Sequence, residues 1–218
     1  MFGKISFVWY YKKGEEGLRM RKAIFGGTFD PIHVGHMHIA YEALYNLNLD
    51  KIIFMPNGTP PHKTNKIVTS GKLRYEMVKE AIKEEAFFEI SDYEINKIDL
   101  SYTYKTLEYF NSIEPETQWY FLVGVDSLMD LNKWKNVEII LNKCTLVVFA
   151  RPGYIKSEII HMKTSVEEKY KKEIIYLDMP IMDVSSTAIK EKIRLGRTVN
   201  YLIPCGVENI IKKYILYK

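Results

Sequence analysis

Cysteine and long apolar runs are both scarce in this sequence. Only two cysteines occur in 218 residues, Cys144 and Cys205, and their spacing matches neither a disulfide framework nor a zinc site. We therefore expect both to be buried, reduced thiols of a cytoplasmic protein. No apolar run approaches the length of a membrane span, and residues 1–11 lack the length and the cleavage site of a secretory signal. The sequence predicts no membrane partner.

Charge of one sign is also in short supply. The 31 Lys and Arg residues are nearly balanced by 27 Asp and Glu residues, which leaves a formal net charge of +4. This balance suits small anionic substrates but is too weak to indicate a nucleic acid partner. Internal repeats, low-complexity segments and a clear linker are absent as well. With 47% hydrophobic residues, we expect residues 20–218 to form one domain with a substantial core.

The first 19 residues differ from the rest of the chain. Gly14-Glu15-Glu16-Gly17 stands shortly before Met20, and its purine-rich codons resemble a ribosome-binding sequence read as protein. We interpret Met20 as the natural start and residues 1–19 as an extension that is non-native or poorly ordered. The alternative is a genuine extension in which residues 5–10 add an edge strand to the sheet.

Strand and helix patterns alternate from Met20 onward, which is typical of a parallel α/β sheet. The predicted strands cover residues 23–25, 51–55, 87–90, 119–123, 145–150 and 174–177. The predicted helices follow Pro31, cover residues 72–84, run from about 101 to 110, and begin near Ser185 and Val207. The inner face predicted for the helix over 72–84 consists of Leu73, Met77, Val78, Ala81 and Ile82. Such sheets bind ligands beyond the carboxyl ends of their strands, where the strand order reverses.

The strongest chemical signal lies between the first predicted strand and the helix that follows it. The strand stops at Gly26 and Gly27, whose missing Cβ atoms let a bulky group approach the backbone closely. Pro31 fixes a turn, and His33 and His36 then stand one helical turn apart. Two imidazoles at the positive end of a helix form a site for a reacting phosphate. The alternative is a glycine turn followed by two ordinary surface histidines.

A second signal is the run of hydroxyl side chains Ser185-Ser186-Thr187 at the start of a predicted helix. Such side chains cap exposed backbone amides, and the same amides can bind a phosphate. An ordinary helix cap would show the same pattern, so this run gains weight only beside the histidine turn.

Both signals resemble motifs of one superfamily. The string G-G-T-F-D-P-I-H-V-G-H resembles the signature of the H-x-G-H nucleotidyltransferases, which are similar in logic to class I aminoacyl-tRNA synthetases. The string V-S-S-T-A-I-K resembles their I-S-S-T-x-I-R element, with Val184 in place of Ile and Lys190 in place of Arg. Lysine keeps the charge but loses the planar fork that binds a phosphate in a bidentate way.

Further motifs narrow the resemblance to bacterial nicotinate-nucleotide adenylyltransferases. They are P-P-H-K at 60–63, S-Y-T at 101–103, G-V-D at 124–126, Trp134 and R-P-G-Y at 151–154. Together with the two motifs above, they extend the resemblance over residues 20–218. The implied fold is a Rossmann-like parallel sheet with helices on both faces and a site at the carboxyl ends of the first and fourth strands.

The resemblance also implies a reaction and a set of residues. The reaction moves AMP from ATP to nicotinate mononucleotide and gives deamido-NAD and pyrophosphate, with Mg²⁺ accompanying ATP and no metal ligands implied on the protein. The implied catalytic residues are His33 and His36. The implied ATP-binding residues are Gly26, Gly27, Thr28, Phe29, Gly124, Asp126, Arg151, Ser185, Ser186, Thr187 and Lys190. The implied mononucleotide-binding residues are Lys63, Thr103, Tyr104, Trp134 and Lys135.

Three alternatives stay open, and so does the choice between a monomer and a homo-oligomer. A phosphopantetheine adenylyltransferase shares the implied fold, but that family is shorter and typically has Thr where His33 stands. A nicotinamide-nucleotide adenylyltransferase would differ in the acceptor's ring substituent alone. A nucleotide-sensing module without turnover would not need intact His33, His36 and the S-S-T element.

Overall fold

Six parallel strands form a single sheet in the computed structural model, which describes residues 19–58, 68–97, 101–150, 153–180 and 182–218. The strand order is β3-β2-β1-β4-β5-β6, with every neighbouring pair parallel. The strands are β1 (Arg21–Gly27), β2 (Lys51–Pro56), β3 (Phe88–Ile90), β4 (Gln118–Gly124), β5 (Thr145–Phe149) and β6 (Ile174–Leu177). The order reverses between β1 and β4, and sheets of this kind bind ligands in a crevice beyond the carboxyl ends of the strands at such a point.

Eight α-helices are found in the described ranges. They are α1 (Val34–Asn46), α2 (Gly71–Ile82), α3 (Thr103–Ile113), α4 (Val125–Met129), α5 (Val137–Lys143), α6 (Lys156–Tyr170), α7 (Ser186–Arg194) and α8 (Val207–Lys213). A single 3₁₀ turn, Leu131–Lys133, follows α4. Within the described part of the chain, no helix is both long enough and apolar enough to cross a membrane.

The core has two layers because successive strand residues point to opposite faces of the sheet. On one face, Ala23 and Phe25 pack with residues of α1, α2, α7 and α8. On the other face, Ile24 packs with residues of α3, α5 and α6. Strands covered on both faces are apolar where they are buried, as residues 23–25 of β1 and 119–123 of β4 are. The predicted Rossmann-like fold with helices on both faces is confirmed.

Several predicted bounds need correction. The first strand does not stop before the glycines, because Gly26 and Gly27 still pair with β2. On α2, Met77, Val78 and Ile82 are buried as predicted, whereas Leu73 is half-buried and its neighbour Arg74 is only 3% exposed. The helices α4, α5 and α6 were not predicted. The expectation that both cysteines are buried is wrong for Cys205, which is exposed, and right for Cys144.

Three predictions fall outside the described residues. The N-terminal extension is one, since only Arg19 of residues 1–19 is described. The others concern Lys63 and Arg151, which belong to the undescribed ranges 59–67 and 151–152.

The implied site at the ends of the first and fourth strands requires these strands to be neighbours. Their adjacency is confirmed, because Phe25 of β1 pairs with Leu122 of β4.

Candidate active site

The turn after β1 is shaped by a phenylalanine that folds back onto a glycine. Phe29 adopts a left-handed backbone conformation with φ 49°, and its side chain is 1% exposed. A Cβ atom at Gly27 would lie only 2.7 Å from Phe29 Cζ. The bulky group that requires glycine at this position is therefore the Phe29 ring. At Gly26 a Cβ atom would lie 3.4 Å from the Phe121 ring, which is ordinary contact.

His33 and His36 form a stacked pair at the start of α1. Their ring centroids lie 3.7 Å apart, and the ring planes are inclined by 27°. The backbone N–H of His33 donates to Nδ1 of His36 at 3.2 Å. Because that N–H can only donate, a neutral His36 carries its proton on Nε2. The backbone thus fixes the tautomer that presents an N–H group at the other side of the ring.

Neighbouring residues fix the positions of both rings. The His36 centroid lies 5.0 Å from that of Phe29 and 6.1 Å from that of Phe25, both in edge contacts. His33 is 6% exposed and precedes the first residue of α1. A Cβ atom at Gly35 would lie 3.1 Å from Nδ1 and Cε1 of His33, so the glycine of the H-x-G-H string leaves room for that ring.

The start of α7 lies against the same turn. Ser186 Oγ donates to the carbonyl oxygen of Pro31 at 2.9 Å, and Ser185 Oγ accepts from the Ala188 N–H at 3.2 Å as a conventional cap. Thr187 is exposed. The N-termini of α1 and α7 therefore converge on one turn, and the positive ends of two helix dipoles face the same region.

A buried carboxylate lies inside this turn. Asp30 is 4% exposed, and its oxygens accept from Tyr217 Oη at 2.6 Å, from Lys190 Nζ at 3.2 Å and from the Thr69 N–H at 3.4 Å. Burial alone would raise the pKa of Asp30, but these hydrogen bonds and the Lys190 charge lower it below its ordinary value. Asp30 therefore stays ionised, and the Lys190 ammonium group lies beside it.

Arg74 joins the ends of three segments and was missed by the sequence interpretation. Its guanidinium group donates to the carbonyl oxygens of Thr28 at 2.8 Å, Asn57 at 2.7 Å and Thr69 at 2.9 Å. The turn after β1, the end of β2 and the start of α2 are thereby held together. An arginine is rarely buried to this degree, and the sequence interpretation left Arg74 out of the inner face of α2, although it stands three and four residues before the buried Met77 and Val78.

Asp126 lies just beyond the carboxyl end of β4, where the strand order reverses. Gly124 ends β4 and precedes α4, so Asp126 stands in the first turn of that helix. Tyr154 Oη donates to Asp126 Oδ1 at 2.6 Å. The structure therefore brings together the G-V-D string and the tyrosine of the R-P-G-Y string.

Of the residues predicted for the mononucleotide, Thr103, Tyr104 and Lys135 lie at or near the start of α3. Lys135 is exposed, and its Nζ lies 5.1 Å from the centre of the Tyr102 ring. Tyr104 and Trp134 are both half-buried and pack against the same apolar cluster. Thr103 is the first residue of α3 and is half-buried.

Glu94 is bonded to α3 and was not predicted as a site residue. It is 8% exposed, and its Oε1 accepts from Thr106 Oγ1 of α3 at 2.8 Å. Burial raises the pKa of Glu94 above its ordinary value, although the hydrogen bond from Thr106 and the charge of Lys97 act in the opposite direction. Nothing in the spacing of the local sequence distinguished Glu94 from the neighbouring carboxylates.

Comparison with known proteins identifies the family. The cytidylyltransferase-like family matches residues 24–192. The "Probable nicotinate-nucleotide adenylyltransferase" of Clostridium kluyveri is 56% identical over 202 residues, which are 91% of this chain and all of that one. The protein of the same name from Clostridium tetani is 56% identical over 198 residues, which are 91% of this chain and 99% of that one.

Solved structures show the same fold. The nicotinic acid mononucleotide adenylyltransferase of Plasmodium falciparum complexed with NaAD superposes with a TM-score of 0.71 at 20% identity, over 91% of this chain and 98% of that one. At this identity the likeness concerns the fold, whereas the clostridial relatives are similar along the sequence as well. The chain belongs to the cytidylyltransferase-like family and, within it, to the nicotinate-nucleotide adenylyltransferases.

Proposed function

We propose that this chain transfers the adenylyl group of ATP to nicotinate mononucleotide and releases pyrophosphate. The observation that carries the proposal is the convergence of two helix N-termini on the turn that bears His33 and His36. Backbone amides at helix starts bind phosphates, and imidazoles beside them add donors to the phosphate that reacts. Such an arrangement suits a reaction between two phosphate-bearing substrates.

The chemical step needs no covalent nucleophile from the protein. A phosphate oxygen of nicotinate mononucleotide attacks the α-phosphorus of ATP, a new P–O bond forms, and the bond to the β-phosphate oxygen breaks. The protein aligns the two phosphates and stabilises the charge that develops between them. The Nε2–H of His36, fixed by the backbone hydrogen bond at Nδ1, donates to the α-phosphate, and His33 donates from the same side.

The start of α7 serves the departing pyrophosphate. Ser185, Ser186 and Thr187 place their amides and hydroxyls at the positive end of a nine-residue helix. Lys190 adds positive charge close to these phosphates, and its ammonium group forms an ion pair with Asp30. Arg151 is assigned to the same phosphates on the resemblance alone.

The remaining ATP contacts are assigned to the ends of β1 and β4. The backbone of Gly26, Gly27, Thr28 and Phe29 lies on one side of the crevice. Gly124 and Asp126 lie on the other side, where the Asp126 carboxylate accepts from a sugar hydroxyl. The reversal of strand order between β1 and β4 supports this assignment.

The pyridine ring is assigned to the group at the start of α3. Trp134 and Tyr104 offer aromatic faces, Thr103 offers a hydroxyl and a backbone amide, and Lys135 adds positive charge. Lys63 is assigned to the same ring on the resemblance alone. A carboxylate on the ring is favoured by such donors, whereas a neutral amide pairs poorly with them. The proposed acceptor is therefore the acid form of the mononucleotide.

We treat Mg²⁺ as part of the nucleotide substrate. Within the described ranges, no group of three or more His, Cys, Asp or Glu residues is arranged to bind a metal ion. The metal would accompany the triphosphate of ATP and neutralise its charge. Free thiols at Cys144 and Cys205 suit a cytoplasmic reaction, and the chain is proposed to act without nucleic acid, as a monomer or a homo-oligomer.

Pyrophosphate release measured with three acceptors tests the proposal. We expect a preference of about 10²-fold in kcat/KM for nicotinate over nicotinamide mononucleotide, because the donors proposed around the ring pair well with a carboxylate and poorly with a neutral amide. Phosphopantetheine should give no turnover. Equal use of both mononucleotides would contradict the assigned specificity, turnover with phosphopantetheine alone would contradict the acceptor class, and ATP binding without turnover would indicate a sensing module.

A further inference from the structure

The histidine turn depends on a carboxylate whose donors come from distant parts of the chain. Asp30 is buried and ionised within the segment that joins β1 to α1. A buried carboxylate is tolerated only when donors satisfy its oxygens. Those donors are the Thr69 N–H before α2, Lys190 on α7 and Tyr217 in the tail after α8. The last of these lies 187 residues away in sequence.

The tail after α8 takes a backbone path that requires support from its contacts. Ile215 and Tyr217 adopt left-handed conformations with φ 53° and φ 68°, which are unfavourable for side chains of this size. The N–H of Leu216 donates to the carbonyl oxygen of Ile211 at 3.0 Å, so the chain folds back on α8. This path brings the half-buried Tyr217 ring to Met77, with Oη 3.8 Å from the sulfur, and its hydroxyl to Asp30.

Lys190 reaches the same carboxylate from the helix proposed to bind the pyrophosphate. Its Nζ lies 3.2 Å from Asp30 Oδ2, and its side chain is 23% exposed. Tyr217 occupies the other carboxylate oxygen, Oδ1. The two oxygens of Asp30 therefore join the C-terminal tail and α7 to the turn that carries the histidines.

We propose that Tyr217 is a positioning residue for adenylyl transfer, which acts by holding Asp30 and thereby the turn that presents His33 and His36. This inference rests on the proposed function. Tyr217 contacts no substrate in the proposed arrangement. Loss of its hydroxyl frees one oxygen of a buried carboxylate, and the turn then shifts relative to the start of α7. A small displacement of catalytic groups lowers kcat more than it changes substrate binding.

The test compares Tyr217→Phe with Tyr214→Phe. Both variants lose one hydroxyl near the C-terminus, but Tyr214 is 42% exposed and lies directly after the last residue of α8. With ATP and nicotinate mononucleotide, Tyr217→Phe should lower kcat about tenfold while KM for ATP changes less than about twofold. Tyr214→Phe should match the parent protein in both constants. Equal kcat in the two variants would overturn the inference.

Two further measurements separate positioning from general weakening of the fold. In an Asp30→Ala background, Tyr217→Phe should lower kcat no further, because the side-chain oxygens that accept from Tyr217 and Lys190 are gone. An additional loss as large as that in the parent protein would overturn the inference. Without turnover, the ring ¹⁵N resonances of His33 and His36 should shift in Tyr217→Phe and stay in place in Tyr214→Phe. Unshifted resonances in both would also overturn it, whereas an inactive parent protein would count against the proposed function alone.

Discussion

At the scale of single residues, the backbone decides what His36 can do. The His33 N–H occupies Nδ1 of His36, which leaves Nε2–H as the outward donor. Gly35 is part of the same arrangement of the two histidines, because a larger residue there would push the His33 ring away. The H-x-G-H spacing is thus explained by two requirements: a helix start that supplies an N–H group to one ring, and a glycine that leaves space for the other.

Replacement of His36 by Ala should lower kcat by roughly 10²–10³, because a donor to the developing phosphate charge is lost. The KM for ATP should change much less, since the phosphate contacts proposed for the start of α7 remain. His38→Ala is the matched control, because His38 lies on the same helix with its Nε2 at 2.8 Å from the Pro180 carbonyl oxygen. Steady-state pyrophosphate release measures both variants, and a near-normal kcat in His36→Ala would remove this residue from the mechanism.

At the scale of elements, the sequence predicted those parts whose signals are local. All six strands were predicted, and β6 has the predicted bounds, because apolar runs ended by turn residues are visible within a few positions. The start of α7 was predicted from its hydroxyls. In contrast, α5 has seven residues, and α6 buries only Ile159 and Val166, so neither shows a wide apolar stripe.

Contacts between distant elements could not be predicted in this way. Arg74 was assigned to no face of α2, because its partners at Thr28 and Asn57 belong to the ends of β1 and β2. The bond between Asp30 and Tyr217 spans almost the whole chain. Both contacts arise from the order in which the strands meet, which is a property of the fold and leaves no periodic trace in the sequence.

Replacement of Arg74 by Met tests the junction of α2 with the ends of β1 and β2. The variant leaves three carbonyl oxygens without their charged donor, and buried groups of this kind are costly to leave unsatisfied. We expect the free energy of unfolding to fall by about 3 kcal/mol. Lys72→Met, at an exposed position of the same helix, should leave it within about 0.5 kcal/mol. Urea denaturation measures both, and similar losses in the two variants would contradict the proposed role of the junction.

At the scale of the whole molecule, two buried carboxylates make opposite contributions to the dependence of stability on pH. The pKa of Asp30 is lowered in the folded state, so its ionised form supports folding above the ordinary value of 3.8, and that support is lost as the pH falls through the folded pKa. The pKa of Glu94 is raised from 4.5. The unfolded chain therefore releases this proton at lower pH than the folded protein does, and Glu94 weakens folding as the pH rises.

Replacement of Glu94 by Gln isolates its contribution. In the parent protein, Glu94 should lower the free energy of unfolding as the pH rises from 4.5 through the raised folded pKa. Over this range the folded state binds more protons than the unfolded state. The variant lacks this pH dependence, because Gln does not titrate. Any change that the amide makes to the contact with Thr106 adds the same amount to the free energy of unfolding at every pH. The free energy of unfolding of the parent minus that of Glu94→Gln should therefore decrease as the pH rises. Urea denaturation at pH 4.5 to 8 measures it, with Glu108→Gln, an exposed change on α3, as the control. Parallel curves for the parent and Glu94→Gln would show that Glu94 ionises in the folded protein as it does in the unfolded chain.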